Sequence, residues 1–473
     1  KDFKNNAIII ELKQWTEADI VSGKDGIVKA FVGHSLREVT HPSYQVWSYA
    51  TTIEDYNETV QDKKIDLHPC AYLHNYLSVT PPTLLADDYK MYLEKAPAFI
   101  KGEVKKLREF ISKYIKYGDD KETLYMLENG KIRPSKALQD TLLSMLKGNE
   151  EFVMIDDQKL AYETALGMAR KSYRDGKKRV LIVKGGPGTG KTVLAINLLV
   201  KLTSENMVCS YTTKNAAPRN VYATKLSGDF RKTRINNLFK SSGSFVRIPE
   251  NEIDVLIADE AHRLNAKSGM CQNLGENQIK EIIKASKFSV FFIDESQRVT
   301  LKDIGSVEEI KKYIEQANAE SEIMELESQF RCNGSDGYIA WLDDVLDIRK
   351  TANGEGFDLD YDIKICDTPN EIRDIIFEKN KINNKARLLA GYCWNWIKDG
   401  KNKSDVFDIT IPEYDFAMSW NLNNSKTWAI DPDSVNEVGC IHTCQGLEFD
   451  YVGVIIGDDL RYEDGKIVTD VTK

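Results

Sequence analysis

The chain has 473 residues, a formal net charge of −9, 42% hydrophobic and 29% charged residues. That length suggests about three domains, the balance is that of globular proteins, and the acidic total leaves any attraction to nucleic acid to local patches. No apolar run reaches the roughly 20 residues that cross a bilayer, no secretory leader is read, and 8 scattered cysteines suit a reducing cytoplasm better than a disulfide scaffold.

The first predicted element is the strand in NAIIIELKQW, residues 6 to 15, which ends by presenting Glu11 and Lys13. Residues two apart share one face of a strand, so the carboxylate and the amine point the same way with Ile9 behind them. Burying such groups without partners is costly, and an exposed pair contributes little stability, so stability alone does not explain the placement. A Glu that binds Mg²⁺ beside a Lys that orients or activates water suits phosphodiester hydrolysis. The stretch SYQVWSYATTIEDYNETV follows as a helix, entered through HPSYQ with Pro42 in the first turn, where proline is tolerated. Gln45 and Tyr49, at i and i+4, lie on one face of it. Together, the Glu-x-Lys strand and the Gln-x-x-x-Tyr helix resemble the RecB-like branch of the PD-(D/E)xK, restriction-endonuclease-like nucleases. That resemblance covers about 60 residues and implies a further acidic metal ligand on a preceding strand. Asp2 is the one acidic residue before Glu11, so the ligand is expected upstream of Lys1. Next, DLHPCAYLHNY, with His68 and His74, reads as packing against the amphipathic helices that follow, such as KGEVKKLREFISKYIKYGDD.

From about residue 150 apolar strands alternate with helices, the pattern of a parallel α/β sheet. In RVLIVKGGPGTGKTVLAINLLVKL a strand, a Gly-rich turn and a helix follow one another, and Gly185, Gly190, Lys191 and Thr192 fit G-x-x-x-x-G-K-T. Gly185, Gly186, Gly188 and Gly190 let backbone N–H groups surround a phosphate at the helix N-terminus. Lys191 supplies charge to the β and γ phosphates of ATP, and the Thr192 hydroxyl reaches Mg²⁺. EIDVLIADEAHRL brings Asp259 to a strand tip to hold the Mg²⁺ shell, with Glu260 to orient or deprotonate water. FSVFFIDESQRV ends in Asp294 and Gln297, a polar side chain placed to sense the γ-phosphate. Upstream, Gln158 lies just inside a helix, where it can read the adenine edge.

In the second half, ELESQFRCNGSDGYIAWL carries Gln329 and Arg331, and an arginine reaching the γ-phosphate from another domain would link hydrolysis to domain closure. GCIHTCQGLEFDYVGVIIGDDL places His442, Gln445, Gly446 and Glu448 before an apolar strand. The motif order resembles superfamily-one helicases, and more closely the Schlafen-type DNA/RNA helicase domain of bacterial proteins, over about residues 150 to 460. The resemblance rests on YTTKNAAPR, DEAH, FFIDESQ, SQFRCNGSDGY and HTCQGLEFDYVGV. It implies that Thr213, Lys214 and Asn215, with His442, touch the nucleic-acid strand, and that Gln445, Gly446 and Glu448 couple strand binding to ATP. Motors of this class carry a further arginine beside a threonine after a final strand. Arg461, in DDLRYEDG, does not match that pattern.

Weaker signals remain. GDFRKTRINNLFK, basic through Arg231, Lys232, Arg234 and Lys240, tracks phosphates or is a solvated helix. Cys440, His442 and Cys444 alternate along one strand face in CIHTC, but they lack paired C-x-x-C spacing, so zinc is not expected. Trp394 and Trp396 in GYCWNW are read as core packing ahead of base stacking.

The expected fold class is α/β: two RecA-like parallel-sheet domains, a P-loop NTPase core, preceded by a restriction-endonuclease-like α/β nuclease domain. The expected divisions are 1–80 for the nuclease, 81–148 for a helical connector, 149–325 for the P-loop domain and 326–473 for the second RecA-like domain. The expected activity is that of an ATP-dependent nuclease-helicase using ATP and Mg²⁺, on DNA in preference to RNA, in the cytoplasm and not at a membrane. Its family resemblance implies anti-phage defence. Two alternatives stay open, a nucleic-acid-gated ATPase switch that licenses cleavage without unwinding, and a nucleic-acid-binding ATPase with an inactive nuclease half. An oligomer also stays open.

Overall fold

A computed structural model describes residues 5–77, 83–118, 122–131, 133, 135–269, 273–298, 300–327, 336–351, 362–391, 393–395, 397, 406–420 and 426–470. The amino-terminal unit is built on β1 (Asn6–Lys13), which pairs in parallel with β5 (Asp66–Leu73), itself parallel to β6 (Ala98–Ile100). Parallel neighbours need a crossover. Here it contains an antiparallel meander, β2 (Ala18–Ile20), β3 (Ile27–Val32) and β4 (Ser35–Thr40), then α1 (Pro42–Tyr56) and α2 (Glu58–Lys63). Helix α1 starts as its sequence suggests, with Pro42 in the first turn and the His41 ring nitrogen Nδ1 accepting the Ser43 N–H at 3.1 Å. His41 Nε2 therefore carries the proton and donates to the Leu84 carbonyl at 3.0 Å. Burial pushes this imidazole down to about 4, so it stays neutral as a structural cap. The buried side of α1, through Tyr44 and Val46, joins Val28, Leu73 and Tyr92 in one core. Around this unit lie α3 (Lys90–Lys95), α4 (Val104–Tyr114), α5 (Glu122–Glu128) and α6 (Leu138–Leu146). His68 stacks on Tyr114 of α4 with ring centres 3.6 Å apart, the packing role expected of that stretch.

The long helix α7 (Asp156–Asp175) leads into a six-stranded parallel sheet ordered β12-β7-β11-β10-β8-β9. Its strands and helices run β7 (Arg179–Gly185), α8 (Lys191–Ser204), β8 (Cys209–Thr213), α9 (Ala216–Leu226), α10 (Lys232–Leu238), β9 (Phe239–Ser241) and β10 (Ile253–Ala258). They continue with α11 (Gln278–Ala285), β11 (Ser286–Ile293), α12 (Val307–Gln316) and β12 (Glu320–Leu326). Successive strand residues face opposite sides, and both sides are covered. Leu181, Val183, Val255, Ile257, Phe288 and Val290 pack with α7 and α8, while Val180, Ile182, Leu256, Ala258, Phe291 and Ile293 pack with α11 and α12. That double burial is why β7, β10 and β11 read as largely apolar runs, interrupted in β10 by Asp254 and in β11 by Ser289.

Beyond it lie α13 (Asp336–Val345), α14 (Pro369–Asn383), β13 (Ala386–Ala390), β14 (Ile409–Ile411), β15 (Phe416–Trp420) and β16 (Glu437–Val438). The chain then forms α15 (Ile441–Cys444), β17 (Tyr451–Ile455) and a hairpin of β18 (Leu460–Glu463) and β19 (Lys466–Thr469). β13 and β17 are parallel, β14-β15-β16 form a second ribbon, and a Leu389–Gly439 bridge joins the two. Trp394 packs at the edge of this unit's core, with Ile376, Leu388 and Trp420 among the buried members. Trp396 lies outside the described residues. One expectation is corrected: the CIHTC segment is not a strand. Ile441–Cys444 turn as a helix because the Thr443 hydroxyl accepts the Cys440 N–H at 2.9 Å, so Cys440, His442 and Cys444 do not share a strand face.

Candidate functional site

The tip of β7 runs into the Gly-rich loop, where Gly188 and Gly190 have φ of +76° and +82°. Only glycine takes that conformation freely. At Gly190 a Cβ would also fall 2.3 Å from the Gln158 amide nitrogen. Lys191 opens α8 and its ammonium donates to the Gly185 and Gly186 carbonyls at 2.7 and 2.6 Å, 4.0 Å from Asp294 Oδ2. The Thr192 hydroxyl donates to Asp259 Oδ2 at 2.9 Å. The same oxygen accepts from Tyr211 OH at 2.7 Å, while Oδ1 accepts the Glu260 N–H at 2.9 Å. Burial, then the neighbouring Glu260 charge, push the Asp259 carboxyl up. Asp294, at the tip of β11, keeps Oδ2 buried with no hydrogen bond among the described residues. A hydroxyl, two buried carboxylates and hard oxygen donors only are the set that suits Mg²⁺ bound through phosphates. The residues present therefore fit the metal, with Thr192 and Asp259 to hold it.

Glu260 has φ of +53°, rare for a non-glycine residue. The turn brings its Oε2 within 3.0 Å of Nε2 of the fully buried His262. His262 Nδ1 accepts the Asp294 N–H at 3.3 Å, so the proton sits on Nε2, facing Glu260. The DEAH turn and the tip of β11 are thereby joined through one imidazole. Gln297 is half-buried in the short turn Glu295–Gln297 and its N–H donates to the Asp294 carbonyl at 3.1 Å. Gln158 is buried beside the loop, donating to the Thr189 carbonyl at 2.9 Å.

A second cluster joins the P-loop sheet to the later motif. Lys214 Nζ donates to Asn265 Oδ1 at 2.9 Å and Asp303 Oδ1 at 2.7 Å, and Arg263 Nε donates to Asp303 Oδ2 at 2.9 Å. The Arg263 guanidinium also reaches Gln445 Oε1, and Asn215 Nδ2 donates to the Gln445 carbonyl at 2.8 Å. Gly446, with φ of +83°, sits on Pro218, where a Cβ would be 2.8 Å from Cγ. Glu448 Oε2 accepts the Leu138 N–H at 3.3 Å, and Glu448, Gly446 and Thr192 line one crevice. His442 is exposed at this cluster, and burial of its ring, then the charges of Arg263 and Lys214, lower its pKa. Thr213, by contrast, is 1% exposed, with no hydrogen-bond partner for its hydroxyl among the described residues. Arg331 and Gln329 lie outside the described residues.

At the amino-terminal strand, Lys13 Nζ and Glu11 Oε1 are 2.7 Å apart on one face of β1. Gln45 Nε2 donates to Tyr49 OH at 2.9 Å on α1, and Tyr49 OH donates to Asp156 Oδ2. Burial first, then Asp156, raise the phenol's pKa, with the Glu11 charge adding to it. Among the described residues no three His, Cys, Asp or Glu side chains gather as a metal site. The described donors at β1 thus include Glu11 but not a full acidic set for Mg²⁺.

Sequence reasoning did not single out Tyr211, Asp303 or Asp156, and quoted His262 without a role. Tyr211 carried the one available signal, a phenol inside a buried strand whose hydroxyl must find a partner.

The comparisons agree with the geometry. A family model for the Schlafen group 3 DNA/RNA helicase domain matches residues 178–473. The chain belongs to that family. It is also similar to an uncharacterized protein of Saccharomyces cerevisiae, YPL245W, at 23% identity over 319 residues, 60% of this chain and 69% of that protein. Membership in the Schlafen group 3 helicase family fits a nucleotide-using, nucleic-acid-acting enzyme, and the six-stranded parallel sheet is the core on which its motifs sit. Among the described residues of this Schlafen-family chain no helix is long and apolar enough to cross a membrane.

Proposed function

We propose that the chain is an ATP-dependent nuclease-helicase that hydrolyses ATP at Gly185–Thr192, moves or remodels a nucleic-acid strand, DNA in preference to RNA, and cuts it in the amino-terminal unit. The observation that carries the motor reading is the chain of contacts from Thr192 through Asp259 and Glu260 to His262, with Arg263 of the same turn bound to Gln445. Mg²⁺ held by Thr192 and Asp259 would neutralise phosphate charge. Lys191 gives up its carbonyl partners at Gly185 and Gly186 to bind the β and γ phosphates. Glu260 takes the proton of the attacking water, and the buried His262 imidazole packs beside its carboxylate. Arg331 is proposed to reach the γ-phosphate, and Gln158 to read the adenine, releasing Thr189 as it does so. Because Gln445 is hydrogen-bonded both to Arg263 and to Asn215, a strand at Lys214 and His442 and the hydrolytic turn share one network.

The nuclease reading is supported by the adjacent Glu11 and Lys13 and by the Gln45–Tyr49 pair. In it Glu11 is a metal ligand, Lys13 orients water, and Gln45 and Tyr49 position the scissile phosphate. A role against phage and foreign DNA belongs to the same proposal. Lys191→Ala should abolish nucleic-acid-stimulated ATP hydrolysis while leaving the fold intact. Glu11→Ala with Lys13→Ala should abolish Mg²⁺-dependent cleavage and leave hydrolysis of ATP unchanged, and persistent cleavage would reject that site. Stimulated hydrolysis without strand separation would favour a gated switch over a translocating motor.

A further inference from the structure

Helix α7 meets both halves of the molecule with its first turn. Asp156, its first residue, accepts hydrogen bonds from Thr40 Oγ1 at 3.1 Å and from the Tyr49 hydroxyl. Two residues on, Gln158 holds the Thr189 carbonyl at 2.9 Å and fills the space beside Gly190. Asp156 has φ of +27°, a backbone state that persists in a non-glycine residue only where its surroundings impose it. Here the surroundings are Thr40 and Tyr49.

The rest of the helix keeps that turn registered on both sides. Lys159 Nζ lies 3.1 Å from Asp25 Oδ2, Glu163 Oε2 accepts the Asp25 N–H at 3.2 Å, and Thr164 Oγ1 accepts from Lys24 at 3.1 Å. Positions 156, 159, 163 and 164 follow helical spacing and form one face, given over to the amino-terminal unit. Ala161, Ala165 and Ala169 are buried in the core shared with the parallel sheet. A shift of the loop at Thr189 and Gly190 therefore displaces Gln158, and with it the residue that holds Tyr49.

We propose that Asp156 is a positioning residue that couples nucleotide binding at the P-loop to the placement of the Tyr49 hydroxyl beside Gln45. The proposal rests on the nuclease reading only for what the coupling accomplishes at Glu11 and Lys13, not for the coupling itself. Linkage is reciprocal: if nucleotide changes the Asp156–Tyr49 bond, loss of that bond changes nucleotide affinity by the same factor.

The test is the affinity of the full-length chain for a fluorescent ATP analogue with Mg²⁺, measured for Thr40→Val, Tyr49→Phe, Asp156→Asn and the Asp156→Asn/Tyr49→Phe pair. Each single change should alter affinity by about fivefold or more, the lower end of common coupling factors, towards tighter binding if nucleotide breaks the Asp156–Tyr49 bond and towards weaker binding if nucleotide strengthens it. The pair should shift affinity no further than its larger member, because both changes break one link. Phe31→Ser, at an exposed position of β3, should leave affinity unchanged. Unaltered affinity in both Thr40→Val and Tyr49→Phe overturns the proposal, as does full additivity in the pair. Thr40→Val and Tyr49→Phe keep the test decisive should Asp156→Asn fail to fold. If Glu11→Ala leaves cleavage intact, the nuclease reading falls, and the affinity series still decides the coupling.

Discussion

Tyr211 donates its buried hydroxyl to the same oxygen of Asp259 that accepts from Thr192. If Thr192 gave up this bond to hold Mg²⁺, Tyr211 would remain to fix the carboxylate's rotation. A hydrogen bond to a charged group contributes about 1.5–3 kcal/mol, so Tyr211→Phe should lower the melting temperature of the chain alone. It should also raise the Mg²⁺ concentration needed for nucleotide to stabilise the fold, read as the melting shift with MgATP across a metal titration. Loss of stability with an unchanged metal requirement would reduce Tyr211 to a packing residue. The neighbouring Glu260 shows how backbone serves chemistry at this scale: its left-handed turn is what faces its carboxylate toward His262.

Among the elements, α6 is a junction. Its Asp140 accepts from Lys225 of α9 at 2.7 Å and pairs with Lys385, just before β13, at 3.1 Å. Burial alone would raise this carboxyl, but the two ammonium groups outweigh it and hold the value below the ordinary 3.8. A carboxyl depressed by folding contributes its full stability above the unfolded value and loses it as pH falls through the folded one. The group is 40% exposed, so water screens the pair and the contribution is about 0.5–1 kcal/mol. Asp140→Asn should therefore melt earlier than the parent at pH 7, with the gap closing below pH 3.8. A gap that persists undiminished in acid would mean the ion pairs are not its source.

For the whole molecule, α7 is the shared wall between the amino-terminal unit and the P-loop sheet. Lys159 is 8% exposed and Glu163 3%, at 2.8 Å from each other. Removing one partner of a buried pair leaves the other charge uncompensated, at about 3–5 kcal/mol. Asp25 still faces the ammonium at 3.1 Å, so Glu163→Ala should fall near the lower end of that range. The expected readout is a lower urea midpoint with earlier proteolytic release of the amino-terminal unit, since Glu163 also holds the Asp25 backbone. Release without loss of the P-loop sheet's own transition would show that the two units fold separately and dock across this face.

What the amino-acid order determined by itself was local. The Gly-rich turn and the Pro42 helix start follow from the backbone limits of single residue types, while the alternation of apolar strands and helices and the one-face placement of Glu11 with Lys13 and of Gln45 with Tyr49 follow from repeats of two or about four residues. Those repeats are set by backbone geometry before any distant contact forms. CIHTC misled because an alternating pattern over five residues is overridden by a single capping hydroxyl at Thr443. Tertiary structure alone decided that Asp156 meets Tyr49 across 107 positions, that Asp303 binds Lys214 and Arg263 across 89 and 40, and that Gln445 seats on Arg263 across 182. Such pairings depend on how helices and sheets pack in three dimensions, and no local spacing encodes which polar groups that packing will leave facing one another.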